Sequence, residues 1–358
     1  MTSVKQKDIS PLVSVVVPCY NVEQYVDKGL QSILNQSYTN WECIIVNDGS
    51  TDSTESKIKE WTKKDSRFQV VSQQNKGLSG ARNTGLQHVK GDCIYFFDPD
   101  DIIDDNCLKN LTDLYHHDID IVIGKVGYVY GQTTNVIDTV EHVSETNSVF
   151  RNTNFIELSL KEPFSVIACN KLYSANFISS NNLSFKDGIL HEDELWFFQT
   201  MRLAKSIVFN SEVTYYYNIG NQNSITKNYK LSNLTSYLKV IEIIYANYYS
   251  TENNNESKLT IGTYILNFQM TVISAFFRHL KKNKNAPFKS EGIALIKTHI
   301  KNHKIEAYQH INNKKSKQFG IFIKYALNHP QVAFKLIRNV SKNNVLKAIE
   351  SLFLKLRY

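Results

Sequence analysis

The chain has 358 residues and a formal net charge of +7, with 42% hydrophobic and 21% charged residues. This composition is typical of a globular protein with enough apolar residues for a large core. Its five cysteines include no Cys-x-x-Cys pair, which argues against a disulfide framework or a zinc site and favours reduced, buried thiols. Residues 1–10 lack the apolar core of a signal peptide, and no apolar run reaches about 18 residues uninterrupted. We therefore expect neither a secretion signal nor a membrane-spanning helix.

The net charge hides an uneven distribution along the chain. Residues 281–358 contain 17 Lys and Arg against 3 Asp and Glu, whereas residues 1–280 contain 24 and 31. A basic end on an acidic body predicts a surface that faces a polyanion. Because no nucleic-acid-binding motif accompanies the charge, an anionic membrane is favoured over nucleic acid. A helical bundle with a solvated basic face explains the same pattern equally well.

Strands and helices alternate over residues 12–123. The predicted strands are 13–17, 42–46, 68–72 and 93–97. Three helices are predicted between them: the first begins at Val22 after an N-cap at Asn21, the second follows an N-cap at Asp52, and the third spans 78–89. This alternation predicts an α/β fold with a mostly parallel sheet covered on both faces. Ligands bind such sheets beyond the carboxyl ends of the strands. The polar clusters that follow these strands should therefore meet in one crevice.

After residue 123 the pattern changes. Residues 124–225 mix short strands and helices without a regular alternation. Residues 230–358 show helical spacing, with candidate helices at 231–249, 257–282 and 290–302. We therefore expect an irregular region followed by a helical one.

The most informative segment is 93–101, where an apolar strand runs into three carboxylates, Asp98, Asp100 and Asp101. Like charges at close range repel, so packing alone does not explain them. A bound Mg²⁺ or Mn²⁺ would explain them, because hard cations take oxygen ligands and share their shell with substrate phosphates. An acidic turn that caps the next helix is the alternative, and it accounts for only part of the cluster.

Two further clusters carry residues suited to a nucleotide. Asp48 follows the second predicted strand, where Gly49 permits a tight turn, and its carboxylate can accept a hydrogen bond from a base N–H. In the glycine-rich run 77–85, Arg82 has the fork geometry that pairs with a phosphate. That run is neither a Walker loop nor a dinucleotide fingerprint. A helix entry made of turn and capping residues is the bland alternative at 47–52.

Together these elements resemble the family 2 glycosyltransferases of GT-A fold. The resemblance is carried, in order, by Pro18-Cys19-Tyr20-Asn21, by 47–52, by 75–85 and by Asp98-Pro99-Asp100-Asp101. It implies a doubly wound, mostly parallel sheet and a nucleotide-sugar donor, usually UDP-linked. It also implies Mn²⁺ or Mg²⁺ on Asp98 and Asp100, bridging the donor diphosphate. The residues that it places around the donor are Pro18, Tyr20, Asn21, Asp48, Asn75, Arg82 and Asp98.

A second part of the resemblance lies at 191–198, where family members carry a Glu-Asp pair at the start of a helix. Glu192 and Asp193 match that pair, and the resemblance makes Asp193 the general base. Direct displacement at an anomeric carbon needs a group that removes the proton of the acceptor hydroxyl. In isolation, an acidic first helical turn favoured by the helix dipole explains the same residues.

Supporting roles are assigned to Glu192 and three other residues. Asp101 either supports the metal ligands Asp98 and Asp100 without binding the metal itself or caps the next helix. Lys171, in a segment that precedes the base, either faces the acceptor or phosphates or braces the fold. Ser224 lies in a polar loop after three tyrosines, where this chain has Asn218 in place of the arginine of many relatives.

The pattern as a whole predicts three regions and one activity. Residues 1–123 form the nucleotide-sugar half, 124–228 the acceptor and base half, and 229–358 a basic helical region. The predicted activity is inverting transfer of a hexosyl or N-acetylhexosaminyl group from a UDP-sugar to a saccharide or lipid-linked saccharide, in polysaccharide or glycolipid assembly. The predicted location is the cytoplasm, and peripheral binding to the inner face of the membrane is one of the two alternatives for residues 281–358.

One absence and two alternatives complete the prediction. None of the three tryptophans follows an arginine, so the Gln-x-x-Arg-Trp motif of processive synthases is missing and transfer of one sugar or a short run is expected. A nucleotidyltransferase would also use paired carboxylates, but residues 13–21 contain no Gly, Lys or Arg. A catalytically silent protein that binds sugar nucleotides or scaffolds a membrane is the other alternative.

Overall fold

The computed structural model describes residues 10–221, 228–283, 285–309 and 311–340. The chain divides into two compact units, Met1–Ser224 and Ile225–Tyr358. One sheet runs through the first unit, so the regions predicted at 1–123 and 124–228 share a single sheet.

The first unit alternates strands and helices before it becomes irregular, as the sequence pattern indicates. Its strands are β1 (Val13–Cys19), β2 (Trp41–Asn47), β3 (Phe68–Ser72), β4 (Cys93–Phe96), β5 (Ile102–Ile103), β6 (Ile121–Val129), β7 (Asp138–Thr139), β8 (Val149–Arg151), β9 (Lys171–Ser174) and β10 (Ser206–Asn218). Its helices are α1 (Val26–Leu34), α2 (Thr54–Lys64), α3 (Gly77–Leu86), α4 (Cys107–Thr112), α5 (Phe155–Lys161), α6 (Ala175–Ser180) and α7 (Glu192–Leu203).

Strands β3, β2, β1 and β4 lie side by side in that order and are all parallel. Every residue of β1 and β2 is buried, as expected for apolar strands of a sheet covered on both faces. The order continues through β9, β6, β10 and β5, in which the short strands β9 and β5 pair antiparallel. The long ladder between β6 and β10 is again parallel. The predicted α/β fold with a mostly parallel sheet is confirmed.

One predicted helix start is wrong. Helix α1 begins at Val26 rather than Val22, and Asn21 does not cap it. Asn21 has a left-handed φ of 52°, and its Oδ1 accepts the Thr51 backbone N–H at 2.8 Å. The Asn21 side chain therefore joins the loops after β1 and β2. The predicted cap at Asp52 is off by one residue, because the N-cap of α2 is Ser53, although Asp52 accepts the Thr54 N–H at the start of this helix.

The described residues of the second unit form helices joined by non-helical segments. Its helices are α8 (Leu231–Ile244), continued by a π-helical turn (Tyr245–Tyr249), α9 (Asn255–Lys282), α10 (Lys289–Asn302), α11 (Asn313–Tyr325) and a last helix over 330–340.

Within the described residues, only α9 is long and apolar enough to cross a membrane, and 72% of its most apolar window is buried. Its polar residues bond inside the unit: Gln269 donates to the His303 carbonyl, and Asn267 accepts the Lys315 ammonium. These are contacts of a core helix, because a membrane offers no such partners.

Candidate active site

Side chains and one glycine tie together the loops that follow β2 and β3. The Asp48 carboxylate is buried, and its Oδ1 accepts hydrogen bonds from Gln73 Nε2 at 2.7 Å and from the Lys76 backbone N–H at 2.8 Å. Gly49 has a φ of +70°, and a Cβ there would lie 2.9 Å from the Asn75 backbone nitrogen. Only glycine allows this approach. The turn thus places Asp48 at the carboxyl edge of the sheet.

The other predicted donor residues of the first loops gather at the same edge. Pro18 lies within β1, and Tyr20 directly after that strand is 48% exposed. Asn21 bridges to Thr51, as described above. Asn75 is exposed at the entry of α3. The structure therefore brings these residues together, and their contacts with a donor stay a prediction.

The acidic loop, residues 98–101, is held by two contacts that sequence reasoning missed. A Cβ at Gly29 would lie 2.6 Å from the Pro99 carbonyl oxygen, so the loop packs directly on α1. Gln132 Nε2 donates to the carbonyl oxygens of Pro99 at 3.1 Å and Asp101 at 3.2 Å. A glycine inside a predicted helix was a signal for the first contact. Nothing in the local sequence marks Gln132.

The end of β10 and Asn221, which follows it, bond two carboxylates of this loop. Asp101 is buried and accepts the Tyr215 hydroxyl and the Asn218 backbone N–H, both at 2.7 Å. Burial, with the charge of Asp100, raises the pKa of Asp101 well above its usual range. Asp100 itself accepts a hydrogen bond from Asn221 Nδ2 at 2.8 Å. Asp101 therefore holds the acidic loop against β10, while the Asp100 side chain lies nearer the surface.

At the centre of the site lies Arg82, whose side chain is fully buried. Its Nη1 donates to Glu192 Oε1 at 2.7 Å and to Asp193 Oδ1 at 2.9 Å. Its Nη2 donates to both carboxylate oxygens of Asp98, at 3.0 and 3.3 Å. The sequence placed Arg82 on a phosphate, whereas here both terminal nitrogens hold carboxylates. Arg82 therefore joins the predicted metal ligand to the predicted base.

Glu192 and Asp193 form the first turn of α7, which the chain enters through His191 at a left-handed φ of 60°. Burial raises the pKa of Glu192 to about 7. Burial also raises the pKa of Asp193, against the opposing effect of Arg82. The Asp193 side chain keeps 25% of its surface exposed, against 5% for Glu192. Of the two, Asp193 is the more exposed.

The acidic loop fits a divalent cation. Three carboxylates face the single guanidinium of Arg82, which leaves an excess of negative charge. Burial and the charge of Asp98 raise the pKa of Asp100, as expected for crowded carboxylates. No group of three or more His, Cys, Asp or Glu within the described ranges is arranged to hold a metal ion, so any cation here would need ligands from a substrate as well. Asp98 and Asp100 therefore suit Mg²⁺ or Mn²⁺, which commonly completes its shell with substrate phosphates.

The remaining predicted residues have different outcomes. Lys171 is buried at the start of β9, where its ammonium donates to the carbonyl oxygens of Ser165 at 2.9 Å and of Ile167. Of the two alternatives for Lys171, contact with substrate and bracing of the fold, the structure has the second. Ser224 lies outside the described residues.

Comparisons with known proteins agree with this architecture. Residues 14–179 match the model of the family Glycosyl transferase family 2. EpsH of Bacillus subtilis, which is named as a glycosyltransferase, is 30% identical to this chain over 262 residues. The match covers 72% of this chain and 75% of EpsH. GgaB of the same organism, named a minor teichoic acid biosynthesis protein, is 34% identical over 160 residues, or 43% of this chain and 17% of GgaB.

A solved structure shares the fold. A fragment of Staphylococcus aureus TarS, crystallised in complex with UDP-GlcNAc, has a TM-score of 0.65 at 17% identity and covers 94% of this chain and 92% of its own. The fold is therefore that of the GT-A glycosyltransferases. The chain belongs to family 2 of these enzymes, which confirms the resemblance seen in the sequence.

Substitution of Arg82 tests the centre of the site. Arg82→Met should lower the free energy of unfolding by about 3–5 kcal/mol, because buried carboxylates lose their cation. Arg67→Met is the control, since its ion pair with Asp65 is partly exposed and should cost about 1 kcal/mol or less. Denaturant unfolding of both variants measures the difference. Equal losses would contradict the central role of Arg82.

Proposed function

We propose that this chain is an inverting, metal-dependent glycosyltransferase that moves one hexosyl or N-acetylhexosaminyl group from a UDP-sugar to an acceptor hydroxyl. The observation that carries the proposal is the Arg82 guanidinium, which bonds Asp98 with one nitrogen and Asp193 with the other. The group that binds the donor and the group that deprotonates the acceptor would then lie next to each other in the first unit.

In the proposed reaction, Asp193 takes the proton of the acceptor hydroxyl while that oxygen attacks the anomeric carbon. The bond from this carbon to the diphosphate breaks in the same displacement, and UDP leaves with the bonding electrons. Attack comes from the face opposite the leaving group, so an α-linked donor yields a β-linked product. Glu192 is more buried than Asp193 and bonds the same nitrogen of Arg82, which suits it to hold Arg82 in place.

The donor end of the proposal rests on oxygen ligands and strand-end residues. A divalent cation bound by Asp98 and Asp100 would offset the charge that develops on the leaving diphosphate. Asp48 would accept a hydrogen bond from the base, and the exposed ring of Tyr20 offers it a stacking face. The UDP-GlcNAc held by the TarS fragment supports a UDP-linked donor.

The setting that we propose is assembly of a surface polysaccharide on the cytoplasmic side of the membrane. The name of GgaB, a teichoic acid biosynthesis protein, supports this class of acceptor. Membership of the family disfavours a nucleotidyltransferase. A catalytically silent sugar-nucleotide-binding protein would bind UDP but fail to release it from a donor, so turnover separates the two.

We also propose that the second unit docks on an anionic membrane through a basic stripe on α11 and the helix 330–340. Exposed apolar residues stand among exposed lysines there, a pattern suited to a lipid interface. The members of this stripe are Lys314, Lys317, Ile323, Lys324, Leu327, Val332 and Lys335. The segment 345–358, which continues the pattern in the sequence, lies outside the described residues.

Removal of the proposed base should reduce turnover. Asp193→Asn should lower kcat for UDP release from a UDP-sugar panel by about 100-fold or more, since the amide cannot accept the proton. Glu194→Gln, in the same helical turn, is the matched control and should leave kcat nearly unchanged. Full activity of Asp193→Asn would refute the proposed base, and equal losses in both variants would favour a purely structural acidic turn.

Metal dependence has a readout that does not need turnover. Asp100→Asn should weaken UDP binding in the presence of Mn²⁺ by about tenfold in calorimetry, because the cation loses a ligand. Asp105→Asn, an exposed carboxylate a few residues further along, should bind UDP as the native chain does. Equally tight UDP binding by the native chain in EDTA would contradict the proposed metal site.

The basic stripe predicts charge-dependent sedimentation with vesicles. Replacing Lys317, Lys324 and Lys335 by Glu should weaken partition onto phosphatidylglycerol vesicles by at least about 100-fold, at roughly 1 kcal/mol per lysine. Replacing Lys59, Lys63 and Lys64 of α2 by Glu changes the net charge equally and should have little effect. Similar losses in both variants would show that net charge alone attracts the protein to the vesicles. Unchanged binding of the variant at Lys317, Lys324 and Lys335 would refute the proposed role of the basic stripe.

A further inference from the structure

Gln132 makes contacts that the proposed reaction does not explain. It follows the end of β6 and is half-buried. Its Nε2 donates to the backbone carbonyl oxygens of Pro99 at 3.1 Å and Asp101 at 3.2 Å in the acidic loop, and to that of Tyr25 at 3.1 Å, directly before α1. All three neighbours are acceptors, so the amide nitrogen and not the amide oxygen must face them. One neutral side chain therefore ties the acidic loop to the start of α1.

Asn218, the last residue of β10, bonds the same loop from a second element. Its Nδ2 donates to the Asp100 carbonyl oxygen at 3.3 Å. The Asp98 carbonyl oxygen accepts the Asp101 N–H at 3.1 Å. Backbone carbonyl oxygens can themselves bind hard cations. Because all four carbonyl oxygens of 98–101 accept hydrogen bonds, the loop presents its carboxylates to a cation instead.

The loops that carry the two amides support each other. A Cβ at Gly220 would lie 2.8 Å from the Gly131 backbone nitrogen, so the loops after β6 and β10 are in direct contact. The Asn218 Oδ1 accepts the Gly220 N–H at 2.8 Å, which leaves the Asn218 Nδ2 directed at the acidic loop. Both amides are therefore held in place by the fold itself.

We propose that Gln132 and Asn218 are positioning residues for the divalent cation: they fix the backbone of the acidic loop so that the carboxylates of Asp98 and Asp100 are already placed as ligands. The inference rests on the proposed function, in which these carboxylates bind Mn²⁺ or Mg²⁺ together with the donor diphosphate. A loop that became ordered only on binding would hold its cation more weakly, because ordering costs free energy. Groups that hold metal ligands in place commonly change metal affinity by about 10- to 100-fold.

The two side chains restrain the loop without supplying a ligand or a charge. Their bonds end on backbone carbonyl oxygens, and the bond from the Asn218 backbone N–H to Asp101 does not depend on the Asn218 side chain. Loss of either amide should therefore weaken cation binding while a sufficient concentration of cation restores it. Loss of a ligand such as Asp100 would instead change the bound complex itself.

The test uses two variants of the full chain and one control. Gln132→Met keeps the length of the side chain and removes the amide, and Asn218→Ala removes the second amide. Each should raise the Mn²⁺ concentration that gives half-maximal UDP binding in calorimetry by about tenfold, with the Kd for UDP unchanged at saturating Mn²⁺ and in EDTA. Gln36→Met, which also loses bonds from an amide to two carbonyl oxygens, those of Ser32 and Asp104, should keep the native Mn²⁺ dependence.

The readouts separate failure of this inference from failure of the proposed function. A native Mn²⁺ dependence in either variant that folds would overturn the inference. So would weaker UDP binding in EDTA together with a lower melting temperature and no recovery at high Mn²⁺, because that result indicates a purely structural role. An equal shift in Gln36→Met would show that general loosening of the fold sets the affinity. If the proposed metal site is wrong, the native chain itself will bind UDP equally tightly in Mn²⁺ and in EDTA, before any variant is compared.

Discussion

The rest of the first unit depends on one buried guanidinium. Arg82 reaches the acidic loop with one nitrogen and the start of α7 with the other. A buried charge of either sign is costly alone, so each partner stabilises the others only while all are present. The interaction therefore holds the carboxylates of two distant chain segments in one geometry. Under the proposed function, that geometry places the leaving-group site next to the proton acceptor.

Backbone contacts supply the rigidity that this charge cluster needs. Gln132 and the close approach at Gly29 hold the acidic loop from two directions. Tyr173 links the Ala168 carbonyl oxygen to Trp196 of α7, the helix that carries the proposed base. Carboxylates crowded by like charge would otherwise move apart. Uncharged donors and carbonyls restrain them without altering the balance of charge.

Prediction from the sequence succeeded where local pattern and burial coincide. The runs in β1 and β2 are recognisable because a buried parallel strand needs apolar side chains on both faces. The prediction failed for the start of α1, because Asn21 bonds a neighbouring loop instead of its own helix. Residues such as Gln132 escaped notice because their role comes from long-range contacts, and no local spacing announces them.

The sequence by itself determined the alternating fold, the family and the order of the acidic and glycine-rich segments, since these depend on patterns within a few neighbouring residues. Only the tertiary structure decided the partners of Arg82. A guanidinium pairs equally well with phosphate and carboxylate, and the choice depends on which groups the folded sheet brings within reach. The same reason separates Asp193 from Glu192: adjacent in the chain, they differ in exposure only after α7 has packed.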